Sequence, residues 1–242
     1  MCGRYAKEQD LDRWRDVLAI MQPIEDLTDP AAGPRYNIAP TQKAPIIYDT
    51  GNGLAAEAIR WGWAPHWAKE RKMPPAINAR VETVATGNFF RAIWKHRALA
   101  LADGWFEWVK HPDDPKIKQP YFIKAKDGAP LFFASICQVT QGLEQAEDDG
   151  FTIITAAADS GLLDIHDRRP VVLPPELAAE WIDPGTEPAR ALEIAADQGL
   201  GAEAFIWYPV PKAVGSPRNQ GPELIERIAT PLFPLPDIEA RR

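Results

Sequence analysis

Between residues 98 and 157 the apolar segments follow one another without an amphipathic helix between them. Segments 98–109, 120–126, 131–138 and 151–157 each read as a strand, bounded by proline or glycine turns. A doubly wound parallel sheet needs a helix after nearly every strand, so a run of strands excludes it and points to an α+β fold. The 24 prolines and 16 glycines keep the segments short.

Elsewhere the pattern is mixed. Leu11, Trp14 and Leu18 recur at helical spacing and predict a helix over 7–20, followed by a loop over 22–37. Segments 44–49 and 54–63 read as strands, 64–75 as a loop, 77–84 as a strand and 86–96 as a helix capped by Thr86. The acidic stretch 142–150 is expected to be an exposed connection. A short helix is expected over 159–166, a strand over 169–173, helices over 175–182 and 187–198, and a strand over 204–210. The proline-rich tail from 211 onward is expected to be irregular, and wholly so from about 226. No linker or repeat divides the 242 residues, so 1–242 is read as one domain.

Composition excludes several classes. Two cysteines, Cys2 and Cys137, make no disulfide framework, and Cys137 inside 131–138 reads as a small buried hydrophobe. There is no CxxC or HExxH, and His66, His96, His111 and His166 lack ligand spacing, so neither metal nor cofactor is expected. No apolar run reaches the ~18–20 residues that span a bilayer, and the start, Met-Cys-Gly-Arg-Tyr, holds no signal core. A cytoplasmic monomer, nucleoid-associated in a bacterium, is the expectation.

The total charge of −7 hides an asymmetry. Residues 60–97 carry eight basic side chains against Glu70 and Glu82, a local +6 that leaves −13 for the rest. Trp61, Trp63, Trp67, Phe89, Phe90 and Trp94 lie in the same stretch. Cations interleaved with rings suit a single nucleic-acid strand, because the cations hold phosphates while the rings stack on bases. The same pattern also fits core elements with one charged face.

Cys2 is the most chemical residue. If Met1 is removed, it carries an α-amine with a pKa near ~8 beside a thiol near ~8.5. The amine condenses with an aldehyde to an imine, and the thiol then closes a five-membered thiazolidine on the same carbon. Nearby arginines would lower the thiol pKa, and a phosphate would oppose them. Four other segments stand out. Asn78 and Arg80 share a strand face in INAR. Glu107 lies between aromatics in ADGWFEW, where desolvation raises a carboxyl toward acid–base use, although a wet strand face would explain it equally. His166 ends the expected helix over 159–166, a common place for an imidazole to be presented. Arg4 is two residues from Cys2 and in reach of a phosphate there.

The chain resembles the SOS response-associated peptidase (SRAP) family of abasic-site shielding proteins. The resemblance rests on MCGRY at 1–5, RYNIAPTQ at 35–42, RWGWAPHW at 60–67, INARVET at 77–83, ADGWFEW at 102–108, TAAA at 155–158, IHDRRPVVL at 165–173 and AVGSPRNQGPELI at 213–225. It implies a mostly antiparallel, barrel-like sheet with surrounding helices and a groove for single-stranded DNA. It also implies Met1 removal and a thiazolidine between Cys2 and the ring-opened abasic sugar, with a self-directed peptidase step and lyase-type chemistry. By resemblance, Cys2 is the nucleophile and Asn78 orients the reacting end. Glu107 transfers protons and reverses the crosslink, and His166 assists ring opening and β-elimination. Arg4, Arg80 and Arg168 would contact phosphates, and Trp67 and Trp108 would stack on bases. Two other classes share some of these features. One is an N-terminal-nucleophile amidohydrolase, which also begins Met-Cys-Gly; the other is a non-covalent single-strand binder.

Overall fold

A computed structural model describes residues 2–18, 23–29, 33–140, 146–158 and 165–233. The first seven strands are β1 (Tyr5–Lys7), β2 (Ile24–Asp26), β3 (Arg35–Ile38), β4 (Lys43–Asp49), β5 (Leu54–Arg60), β6 (Asn78–Arg80) and β7 (Arg97–Ala102). The others are β8 (Gly104–Lys110), β9 (Lys118–Ala125), β10 (Leu131–Gln138), β11 (Gly150–Ala157), β12 (Arg168–Pro170), β13 (Val172–Leu173) and β14 (Phe205–Pro209). Among the described residues, five α-helices accompany them: α1 (Leu11–Leu18), α2 (His66–Glu70), α3 (Val81–Val84), α4 (Pro175–Ile182) and α5 (Pro188–Asp197).

The strands form two sheets. One has the order β14-β9-β8-β1-β3 and is antiparallel throughout. The other runs β12-β11-β10-β7-β4-β5-β2, with β13 added on β10 and β6 on β11. Among the strand pairs of the described residues, β2–β5 and β6–β11 are parallel and the others antiparallel. The fold is α+β, as the run of strands implies. The sheets are not closed into a ring, so the barrel-like expectation holds only loosely.

Period-two alternation decides where the core sits. Along β7, Leu99 and Leu101 face a cluster with Trp14, Trp94, Trp181 and Ile194, on the helical side. Ala98, Ala100 and Ala102 face the opposite cluster with Tyr5, Trp105 and Phe133, between the sheets. Strand β10 divides likewise, Phe132, Ala134 and Ile136 toward the helices and Leu131, Phe133 and Cys137 between the sheets. A strand buried on both faces reads as an unbroken apolar run, which explains 131–138 and the burial of Cys137.

Several expected elements differ. The segment 98–109 is two strands in two different sheets, parted at Asp103. Gly104 makes that step possible. A Cβ there would lie 2.4 Å from Phe122 Cζ and 2.5 Å from the Ile123 carbonyl oxygen. The expected strand 77–84 is a strand for only three residues and then becomes α3. The expected helix 86–96 is a series of turns, in which Phe89, Phe90, Ile93 and Trp94 pack against the core instead of lining one helix face. Segment 64–75, expected as a loop, contains α2. Most of the helix expected at 159–166 lies outside the described residues. The tail is more ordered than expected: 3-10 turns at Lys212–Gly215 and Pro222–Ile225 bring Val214 and Leu224 onto Phe106 and Phe122.

Candidate active site at the amino terminus

The first residues lie along β8. The Phe106 N–H donates to the Arg4 carbonyl at 2.9 Å, and Tyr5 and Ala6 pair with Trp105 and Gly104. Continuing that antiparallel register puts Gly3 opposite Glu107 and Cys2 one residue beyond, close enough for the Glu107 charge to act on its thiol. Glu107 is two residues from Trp105, so the two side chains share one strand face, the face turned into the space between the sheets. That is why Glu107 is only 4 % exposed, and the wet-face alternative is excluded. Phe106 faces the other side and meets the C-terminal segment, with Trp108 packed alongside.

The second sheet supplies the other components. Asn78 begins β6, which lies parallel on β11, and its Nδ2 donates to the Cys2 carbonyl at 2.8 Å. Asn78 Oδ1 is buried with no hydrogen-bond partner among the described residues. His166 precedes β12, which is also paired with β11. The Asp167 carbonyl anchors that segment by accepting from the Ala158 N–H at 2.9 Å. Asp167 acts electrostatically on both Glu107 and His166, and Glu107 acts on Cys2. Asn78 thus touches Cys2 directly, while Glu107 is linked to Cys2, and His166 to Glu107 through Asp167, by charge acting across segments of the two sheets.

Burial sets their proton affinities. It pushes the Glu107 carboxyl up to about 8, with the positive amino terminus opposing and the Asp167 charge adding to the rise. Glu107 is accordingly protonated at neutral pH and able to donate. Burial depresses the His166 imidazole, the amino-terminal charge depresses it further, and Asp167 works the other way. At neutral pH it is uncharged and able to accept. One group is kept protonated and its neighbour kept neutral, the arrangement that separates an acid from a base. The Cys2 thiol, on which arginines and a phosphate would pull in opposite directions, is governed by neither: burial pushes it up, and then Glu107. The arginine concerned faces elsewhere.

Arg4 Nη1 donates to Asn37 Oδ1 at 2.7 Å and to the Val214 carbonyl at 2.8 Å, and its guanidinium lies 5.8 Å from the centre of the Trp108 ring. Asn37 is fully buried and also donates to the carbonyls of Ser216 and Asn219, both at 2.9 Å. Arg4 thus ties the start of the chain to its C-terminal segment. Arg168 grips Glu82 with two bonds of 2.5 and 3.0 Å and the Thr155 carbonyl at 2.5 Å, so a phosphate there competes with a carboxylate. Arg80 is exposed. Trp67 is 38 % exposed, edge-on to Phe89, with Arg71 5.5 Å from its ring centre.

The basic and aromatic stretch divides. Trp61, Trp63 and Trp94 are core residues, and Phe89 and Phe90 are half-buried. Arg97 is buried, donating to the carbonyl of Trp181 in the last turn of α4 and to those of Asp183 and Thr186 just beyond it. Lys69 pairs with Asp148, and Arg60 donates to the Glu147 carbonyl at 3.0 Å. What faces solvent is Trp67, Arg71, Lys72, Arg80, Arg91 and Lys95. Asn37, Asp167 and Thr155 escaped notice in the sequence. Each lies inside a motif quoted above, but a buried amide and a flanking carboxylate carry no periodic signal. Among the described residues no three His, Cys, Asp or Glu side chains gather as metal ligands, and no helix is long and apolar enough to cross a membrane.

The family model described as SOS response associated peptidase (SRAP) matches residues 1–217. The chain belongs to the SRAP family. An Escherichia coli relative, abasic site processing protein YedK, is 45% identical over 234 residues, covering 94% of this chain and all of that protein. A Bacillus subtilis relative, abasic site processing protein YoqW, is 34% identical over 229 residues, covering 93% of this chain and 99% of its own. A crystal structure of a phage-related protein from Bordetella bronchiseptica superposes with a TM-score of 0.72 at 37% identity, covering 87% of this chain and 95% of that one. In this SRAP chain, two of the motifs quoted above, those holding Cys2 and Asn78, are in direct contact.

Proposed function

We propose that this SRAP chain processes abasic sites in single-stranded DNA, capturing the open-chain sugar as a thiazolidine on Cys2 after Met1 is removed. The observation that carries the reading is the meeting of Cys2 with a buried, protonated Glu107 and with the Asn78 amide on the Cys2 carbonyl. The SRAP membership and the names of the relatives supply the substrate class.

The abasic sugar is mostly a closed hemiacetal. In its opening the C1 hydroxyl loses a proton and the ring oxygen gains one. Neutral His166 accepts the first and the Glu107 carboxyl can supply the second. The Cys2 amine then adds to the aldehyde carbon; protonated His166 gives its proton to the new alkoxide and the Glu107 carboxylate takes one from the new ammonium, so both return to their starting states. The resulting hydroxyl leaves as water with a proton from Glu107, which recovers it from the iminium nitrogen. The Cys2 thiol adds to the imine carbon, its proton passing to the nitrogen, and the five-membered ring closes. In sum, aldehyde and aminothiol give thiazolidine and one water. Asn78 holds the carbonyl of the reacting residue, and its buried Oδ1 is an acceptor for the amine N–H. β-Elimination of the 3′ phosphate would use the same base, and removal of Met1 by the chain itself would use the same acid and base. Arg80 and the exposed face around Trp67 and Arg71 are assigned to the strand's phosphates and bases.

Incubation with an oligonucleotide carrying one abasic site, followed by a denaturing gel, tests the reading. A slower band is expected for the wild type and not for Cys2→Ala, and intact mass should show a chain lacking one methionine. Salt-sensitive binding without any such band would leave a non-covalent strand binder.

A further inference from the structure

His166 Nδ1 has two neighbours that require opposite states of it. The Arg168 backbone N–H lies 3.0 Å away and can donate only to a bare nitrogen. Asp167 Oδ1 lies 2.7 Å away and can accept only from a protonated one. The chain on either side of these two groups is anchored. The Asp167 carbonyl is held by the Ala158 N–H at 2.9 Å, and the Arg168 guanidinium is clamped by Glu82 and Thr155.

We propose that Asp167 is a positioning residue that holds a proton on His166 Nδ1, so that Nε2 becomes the nitrogen that accepts a proton during sugar opening. With Nδ1 bonded to the Arg168 N–H, the neutral ring carries its proton on Nε2 and is a donor there. With Nδ1–H turned to Asp167, Nε2 is the acceptor, and the imidazolium formed when it takes the sugar's proton is stabilised by the same carboxylate. The two partners of Nδ1 therefore select between the donor and acceptor forms of one ring. The inference rests on the base role given to His166 above.

The charges around the ring come from several elements. Asp167 and Arg168 flank it, Glu82 neutralises the Arg168 guanidinium, Lys110 approaches from β8, and the amino terminus is positive. Glu107 of β8 is also sensitive to Asp167. The Asp167 side chain is 79 % exposed, so water screens its effect and the expected change is moderate.

The test is Asp167→Asn, with Asp167→Glu as the conservative variant, read by nitrogen NMR of histidine-labelled protein and with His166 identified by His166→Asn. In the wild type the Nδ1–H form should be populated in the neutral range, and in Asp167→Asn the Nε2–H form should predominate. The ring's titration should move down by roughly half a unit to one unit. The acid limb of crosslinking to the abasic oligonucleotide should move down with it, the non-covalent affinity for an intact oligonucleotide should stay within about twofold, and Asp167→Glu should restore both shifts. Superimposable His166 spectra and titrations in the wild type and Asp167→Asn would overturn the proposal. That readout needs no DNA. Failure of the crosslink in an otherwise normal wild type would instead refute the proposed function.

Discussion

Replacing Glu107 by glutamine preserves the shape of the side chain and removes its ionisation. The carboxyl has a pKa of about 8 in the fold against 4.5 when unperturbed, because burial disfavours the charged form. The folded chain therefore keeps a proton that the unfolded chain releases. The stabilisation from that proton is fully present below pH 4.5, declines as pH rises, and is gone above about 8. At ~1.36 kcal/mol per unit the interval amounts to at most about 5 kcal/mol, lost with a slope of one proton per molecule. Urea unfolding of the wild type and Glu107→Gln between pH 4 and 9 reads it directly. The two should differ little at pH 4, and the variant should become progressively more stable than the wild type toward pH 9. Curves that stay parallel across this range would mean that Glu107 is ionised in the fold and cannot be the acid. In the crosslinking assay the same variant should slow by about 100-fold or more, since an amide has no proton to give.

Three further variants probe the scaffold. Asn37→Ala removes the buried amide shared by Arg4 and the carbonyls of Ser216 and Asn219, and should cost about 2–4 kcal/mol in urea unfolding. It should also make the C-terminal segment easier to cleave by protease. Gly104→Ala forces a Cβ onto Phe122 and the Ile123 carbonyl, and should lower stability by about 1–3 kcal/mol or prevent folding. Arg97→Met leaves three carbonyls at and just after the end of α4 without their donor, and should cost about 3 kcal/mol while sparing the crosslinking rate per folded molecule.

Much of this molecule is visible in its sequence. The runs of short apolar segments imply an α+β fold, and strands β4, β9, β10 and β11 fall within a residue or two of their expected bounds. Helices α4 and α5 are legible for the same reason: their apolar spacing is local and proline opens each of them. Asn78, Glu107 and His166 stand out because each is polar within an apolar or glycine-bounded run, and the family motifs connect them with Cys2.

Tertiary structure decided the rest. Period-two alternation shows that a strand has two faces without showing what each face meets. The division of 98–109 between two sheets at Asp103 was therefore hidden, and with it the reason Glu107 is buried. The same ambiguity hid the fate of the basic stretch. Trp61, Trp63 and Trp94 went to the core, and Arg97 went to backbone carbonyls, because rings and guanidinium groups serve packing and solvent faces alike. Arg4 was placed against Asn37 by a C-terminal segment more than 200 residues away in sequence, which no local pattern records. The proton affinities of Cys2, Glu107 and His166 belong to the folded state alone, since they arise from water excluded where the two sheets meet.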